Sequence, residues 1–526
     1  MDAERDHAIF LTLKSLILPL FLTIATSWHL QAQLRDPIPE PILPSGKTVG
    51  LEDVLQAPRS TRNDPQGARA RLNYLSHAGD GSDRVFVNDM VGQLYVFDGS
   101  SVSPVLSTYL DLSVELADFH STGWSDGFNT FAFHPAFAQN GKLYTVHSET
   151  AGAGRPTFPN PRRIGPAYQS VVLEWTAEDP RANTFSGTRR ELMRIDQPRT
   201  NHPIGQLAFN PNASPGDSDY GILYLASADG GTIFANAPQN LQRLDSPLGT
   251  IMRIDPSGTN SLNGQYGIPD DNPFVSQEDP KTLKEIWAYG LRNHHRFSWD
   301  TGGEQSMFIS DIGENNIEEI NIGQAGANYG WPLREGTFVL DPSSRNRVQE
   351  LPENDALSGF TYPVAQYDHD EGVAITGGYV YRASALPELF GHYLFGDIKS
   401  GRLFYVDADQ IVAGQQSPIA ELQLLYRGEQ TTLHQLMNAP SRVDLRFGQD
   451  QSGDIYLLTK RDGMIRKLVP DKLRISRTGE NQIELRWVQG AIESASQPSG
   501  PWTTLTIDSP SLIAPTQGLQ FFRLRR

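Results

Sequence analysis

Twelve histidines and no cysteine set the limits of the chemistry this 526-residue chain can do. Without thiols there is no thiolate zinc site, iron–sulfur cluster, covalent c-type haem or cysteine nucleophile. Any metal must sit among oxygens or imidazoles. An imidazole can take up a proton near neutral pH, so His134 in FHP, His202 in NHPIGQLAFNP and the pair His294 and His295 in GLRNHHRFSWD are the candidate bases. A lone histidine is more often a hydrogen-bonded structural residue, and His134 reads as part of a turn. The acidic run DIGENNIEEIN offers Asp311, Glu318 and Glu319, which could gather a hard cation or anchor turns. No G-x-S-x-G elbow is present, so Ser/His/Asp catalysis is unsupported.

Such residues need a frame, and the composition says which kind. Hydrophobic residues make up 38% and charged residues 20%, enough to bury a sizeable core and to exclude wholesale disorder. The 47 glycines and 36 prolines favour many turns. A formal charge of −17 and the lack of a basic stripe argue against nucleic acid as a partner. Between about 46 and 470 one local theme returns: a glycine-containing turn, then a short strand centred on Tyr or Phe. It appears in RVFVNDMVGQLYVF, NGKLYTVHS, YGILYLASADGG, QSMFISDIG, GHYLFGDIKSGRLFYVD and SGDIYLLTK. Irregular spacing, long polar insertions and no sustained 3.6-residue periodicity predict radial β repeats rather than helices. A propeller fits, because each small sheet buries both faces against its neighbours and leaves loops free at the ends of a central channel. A tandem of β-sandwiches is the structural alternative.

The two ends read differently. Leu16 to Ala25 is a short apolar run after Lys14, and Ala32 suits a cleavage site, so residues 1–32 are expected to be a secretory signal that leaves no stable membrane insertion. Residues 33–45 form a Pro-rich lead-in. Residues 471–526 return to alternating apolar residues, among them Ile483, Leu485 and Trp487, and read as a small β module resembling the terminal modules of exported bacterial proteins.

Three further segments are specific. FAFHPAFAQNGKLY resembles the FHP-x-F-x-x-NG-x-LY signature of the soluble glucose/sorbosone dehydrogenases, the pyrroloquinoline-quinone sugar dehydrogenases. GLRNHHRFSWD, DIGENNIEEIN and GANYGWPLREG resemble that family's GLRNP, EIN and GGNYGWP elements in the same order. TGGYVYRASALPELFGHYLFGDIKSGRL is similar to the hedgehog-interacting-protein-like subgroup. The resemblance covers roughly residues 65 to 470 and implies an all-β, six-bladed propeller over 46–470, followed by the C-terminal β module.

What the resemblance implies for chemistry is carried residue by residue. His202 matches the histidine that takes the sugar hydroxyl proton, with Ile204 in place of the family's first glycine and Gly205 at its second. Asp229 matches the acid that orients that imidazole. Arg292 matches the arginine lying against the quinone oxygens, where a guanidinium stabilises developing negative charge. Asn293, Lys399 and Arg442 complete the expected contacts to the cofactor, whose three carboxylates need cations focused in one cleft of an acidic chain. Ca²⁺ would be held through backbone carbonyls of Gly313 and Glu314, although Ile312 stands where the best-characterised enzymes have Gln, and Glu314 where they have Pro.

The resulting expectation is an exported, periplasmic or extracellular, quinone-dependent oxidoreductase acting on a sugar or polyol, with pyrroloquinoline quinone and Ca²⁺ as cofactors and an external electron acceptor. Two other classes remain open. A non-catalytic propeller binding a glycan or protein needs only an apolar or aromatic rim, and a Ca²⁺-dependent propeller lactonase needs a carboxylate cage on the channel axis.

Overall fold

A computed structural model describes residues 34, 36–60, 67–158, 165–231, 241–341, 343–438, 441–471, 473–479, 482–487, 491–507, 511–514 and 520–525. The expected secretory signal, 1–32, lies outside them.

The strands group into sheets of four, and the glycine-led segments explain why. Each supplies the second strand of one sheet: Arg84–Asp89, Lys142–Thr150, Leu223–Ser227, Met307–Asp311, His392–Asp397 and Ile455–Thr459. A second strand is flanked on both edges and covered on both faces, so nearly all its residues are buried and it reads as a continuous apolar run. The innermost strands are Leu72–His77, Phe128–Phe133, Ile204–Phe209, Arg296–Trp299, Ile375–Val380 and Leu445–Gln449, and each touches the next, the last returning to the first. That closed ring defines blades 1 to 6 of a propeller. Between successive blades lie six apolar clusters, such as Phe86 and Tyr109 of blade 1 against Phe131 and Trp175 of blade 2.

The ring is sealed by the chain's beginning. Pro44–Gln56 pairs antiparallel with Met464–Val469 as the outermost strand of blade 6, and runs parallel to Ala420–Tyr426 of blade 5. The lead-in therefore merges into a structural strand at its last residues. Blades 1 and 6 also approach closely at Gly448, where a Cβ would meet the Leu75 Cβ at 2.5 Å. Beyond Val469, two three-stranded sheets enclose a separate cluster around Leu485, Trp487 and Ile492, as expected of a small C-terminal β module. No α-helix among the described residues exceeds the five of Leu433–Met437, and none is long and apolar enough to cross a membrane.

Strands alternate in direction within each blade. Links into the innermost strands and turns between second and third strands therefore share one face of the ring. His202, Arg292 and Arg442 lie in the former; Asp229, Gly313 and Lys399 lie in the latter. Topology alone delivers these distant segments to one side.

Candidate active site

His202 ends the link between blades 2 and 3 with φ at +57°, a left-handed conformation that a non-glycine residue preceding Pro203 would normally avoid. Backbone strain of this kind gathers where function holds a side chain in place. Here the holding contacts are the Gly230 amide on the His202 carbonyl at 3.1 Å, and Asp229 Oδ1 against His202 Nδ1 at 2.6 Å. The ring is 12% exposed, and Nε2 has no partner among the described residues. Asp229 is fully buried. Burial alone would raise its pKa, but His202, Arg292 and the Gly231 amide hold the carboxyl below its ordinary range. Gly231 is itself required, since a Cβ there would meet Asn201 Oδ1 at 2.4 Å. Gly205 allows a second close approach, with His295 O at 2.8 Å from where its Cβ would stand.

Arg292 joins this pair through its carbonyl, which accepts the Asp229 amide at 2.8 Å. Its guanidinium, 6% exposed as a residue, is committed to the turn between the second and third strands of blade 4. It donates to Glu314 Oε2 from Nε at 3.0 Å and from Nη2 at 2.6 Å, and to the carbonyls of Ile312 and Gly313 from Nη1. The Trp331 ring centroid lies 5.5 Å from the guanidinium carbon and walls one side of it. Glu314 also meets Arg345 at 3.0 Å. Of the two backbone carbonyls expected to hold Ca²⁺, that of Gly313 is turned to the Arg292 guanidinium, and the Glu314 side chain pairs with the same group. These two positions hold an arginine in this structure.

The acidic EIN element anchors turns. Asp311 receives the amides of Arg292 at 2.8 Å and Asn293 at 2.6 Å, while Glu335 receives those of residues 314 to 317. Glu318 bonds His369 and the Ile375 amide. Asp311 and Glu319 face each other in strand register. Burial raises both, with Glu319 adding repulsion at Asp311, and Glu335 and Glu318 adding it at Glu319, which is raised to about 7. The folded state therefore binds a proton more tightly than the unfolded chain. Stability from this site is present below the ordinary glutamate range and is lost as pH rises towards about 7. Urea midpoints measured from pH 5 to 8 should fall less steeply in Glu319→Gln than in the wild type.

The remaining expected residues are placed as follows. Asn293 uses its backbone for Asp311, and its side chain makes no hydrogen bond with the described residues. Lys399 lies exposed in the turn after His392–Asp397, its amide bonded to Asp397, and its carbonyl accepts the Val443 amide at 2.9 Å. That bond sets Lys399 beside Arg442, which is half-buried, pairs with Asp444 and lies 5.7 Å from the Trp124 ring. His202, Asp229 and Arg292 are thus contiguous, and Lys399 and Arg442 form a second group across blades 5 and 6. His294 bonds the Thr250 carbonyl at 2.8 Å, and burial pushes it down to about 4. His295 is lowered further, first by burial and then by the cations around it, so both rings are neutral. His134 receives the Ala136 amide in its turn, as expected.

Sequence reasoning missed the cations at the centre. Arg296 of blade 4 donates to the Asn73 carbonyl of blade 1 at 2.7 Å and to Gly205 O of blade 3. Blades 1 and 4 are opposite in the ring, so this side chain crosses the axis. Arg446 of blade 6 and Lys460 both reach Asn73 Oδ1, at 3.3 and 3.1 Å. Arg296 and Arg446 are buried, and neither forms an ion pair with a carboxylate of the described residues; desolvation pushes them down to about 10 and about 9. His295 lies in the field of these three cations and of His202, which ties the cluster to the histidine. The available signal was the run of Arg296 directly after His295, and of Arg446 in an otherwise apolar strand.

Comparison with known proteins bears directly on this arrangement. A family model described as "Glucose / Sorbosone dehydrogenase" matches residues 74–467. The chain is 28% identical to the HIPL2 protein of Arabidopsis thaliana, over 82% of this chain and 66% of that one, so it spans about two thirds of that relative's length. It is 26% identical to the aldose sugar dehydrogenase YliI of Escherichia coli (strain K12), over 60% of this chain and 75% of that one. In fold it matches the crystal structure of the soluble aldose sugar dehydrogenase of Escherichia coli in the apo-form, with a TM-score of 0.53 at 20% identity, covering 80% of this chain and 100% of that one. Its segments, its ring of blades and the match over residues 74–467 agree: the chain belongs to the glucose/sorbosone dehydrogenase family.

Proposed function

We propose that this chain is an exported quinone-dependent oxidoreductase that oxidises a sugar or polyol hydroxyl and passes the electrons to an external acceptor. One observation carries the reading: a histidine with Nδ1 fixed by a buried aspartate, and Nε2 unpartnered among the described residues, shares the field at His295 with the buried Arg296 and Arg446, which form no ion pair with a described carboxylate. With Nδ1–H donated to Asp229, Nε2 carries the lone pair and accepts the substrate's hydroxyl proton. The Asp229 carboxylate stabilises the imidazolium that results.

Buried cations with no described carboxylate in direct contact suit an anionic occupant, and a tricarboxylate quinone fits that demand. Arg446, Lys399 and Arg442 would hold its carboxylates, while Arg296 forms the floor of the cleft. When bound, such a quinone accepts the two electrons and the hydrogen leaving the sugar's C–H bond. Calcium at Gly313 and Glu314 does not fit the observed contacts of Arg292 and is left out of this reading. The cluster around Asn73 is cationic, unlike the carboxylate cage of a lactonase.

A second reading, a non-catalytic propeller that binds a glycan or protein on the same face, is favoured by the pairing of Arg292 with Glu314, which neutralises the cation expected at the quinone oxygens. Dye reduction by the purified protein with pyrroloquinoline quinone and a panel of aldoses and polyols separates the two. Sugar-dependent turnover supports the enzyme, and its absence together with absent quinone binding leaves the binding module. A stability measurement adds an independent check. Replacing a buried, uncompensated cation with an apolar residue relieves desolvation, so Arg446→Met should leave the unfolding midpoint of the cofactor-free protein unchanged or raised.

A further inference from the structure

A second cluster of charge on the molecule is acidic, and it belongs to neither the dyad nor the central cations. Asp368 ends Ala365–Asp368, the outermost strand of blade 4, and Asp370 follows in the next turn. Asp36 comes from the opposite end of the chain. Ligand oxygens of the three lie within 4.8 Å of one another. Asp36 and Asp370 are exposed, but Asp368 is only 3% exposed. Its Oδ2 receives the Ile38 amide at 3.0 Å. Its Oδ1 is buried with no hydrogen-bond partner.

Nearby acids show what is missing. Glu318 has His369 at 2.9 Å, and Glu371 has Arg402. None of the three aspartates forms an ion pair with Lys, Arg or His among the described residues. Three carboxylates at this separation repel one another, and a buried carboxylate oxygen with no donor is costly. A cation between them, or a proton held between Asp368 and Asp370, would relieve the repulsion.

We propose that Asp36, Asp368 and Asp370 bind a calcium ion that fastens the N-terminal segment to the outer edge of blade 4. An all-oxygen donor set selects a hard cation, and carboxylates from separate, irregular segments suit the variable coordination of calcium better than the strict octahedron of magnesium. Solvent can complete the shell on the exposed side. The position gives the ion a structural task. Residues 36–43 lead directly into Pro44–Gln56, the strand that closes the ring, and the segment is also tied down by the Ile38 amide on Asp368, the Ile42 amide on Glu371 at 2.9 Å, the Arg402 guanidinium on the Ile42 carbonyl at 3.3 Å and the Glu421 amide on the Leu43 carbonyl at 3.1 Å. Holding Asp36 against blade 4 restrains this strand's entry before it reaches blade 6.

The test uses the purified protein after chelator treatment, titrated calorimetrically with CaCl₂, beside Asp36→Asn and Asp368→Asn. Asp36 is exposed, so its replacement leaves the buried contacts of Asp368 intact and does not threaten folding. The wild type should bind calcium, with the dissociation constant raised at least tenfold in Asp36→Asn and binding at this site lost in Asp368→Asn. Calcium should also slow proteolytic cleavage within residues 36–43 of the wild type and have no such effect on Asp36→Asn. Equal calcium affinity and equal protection in wild type and Asp36→Asn would overturn the proposal, since any calcium would then be bound elsewhere. So would an absence of calcium binding, which would mean that the aspartates share protons instead.

Discussion

Replacing His202 with alanine should lower sugar-dependent kcat of the quinone-loaded protein by about 10³-fold, within the range that general-base catalysis supplies. Quinone affinity should stay within a factor of two or so of the wild type, because the proposed anchors are Lys399, Arg442 and Arg446 and none contacts the imidazole. The tautomer decides this: Asp229 Oδ1 at 2.6 Å from Nδ1 leaves Nε2 as the acceptor. Asp229→Asn should therefore also depress kcat at normal quinone affinity, since an amide can hold the ring with the proton on the wrong nitrogen. Stopped-flow reduction by an aldose in excess reads both variants. If His202→Ala reduces the quinone at the wild-type rate, the histidine is not the base.

The second large effect concerns stability. Glu314→Gln should lower the unfolding free energy by about 3 kcal/mol, because it leaves the buried Arg292 guanidinium with two backbone carbonyls and no contacting carboxylate. Arg292→Met combined with Glu314→Gln should recover much of that loss, since the pair is then removed rather than broken. Urea denaturation at one pH measures both variants. A single substitution costing less than about 1 kcal/mol, or a double variant as unstable as the single, would show that the guanidinium finds other compensation. The same experiment bears on function, because Glu314 is the carboxylate that neutralises Arg292.

The fold was legible because its repeat has a physical cause. Second strands of propeller blades are covered on every side, so RVFVND, LYLAS or IYLLT cannot hide their apolar runs, and a glycine turn precedes or follows each. Pro44–Gln56 was not legible as the closing strand, because its partners lie some 400 positions away and its own residues, among them Glu52 and Asp53, show no continuous apolar run. At the site, His202 and Asp229 were readable from their motifs, and the structure brings them together. The side-chain direction of Glu314 was not readable: Glu335 gathers the amides of residues 314 to 317 and so sets the turn that aims Glu314 at Arg292. Arg296 and Arg446 look like ordinary strand residues until the ring closes. Only then do blades 4 and 6 bring their guanidinium groups to Asn73 of blade 1.

Above all, the cations gathered around Asn73 must accept a polyanionic quinone. An absorbance titration of the purified protein with pyrroloquinoline quinone, run beside Arg446→Met, tests this most directly. The prediction is saturable binding near one equivalent by the wild type, weakened about 100-fold in the variant, as loss of a buried charge-assisted contact would give. No saturable binding by the wild type, or equal affinity in the two proteins, would contradict it.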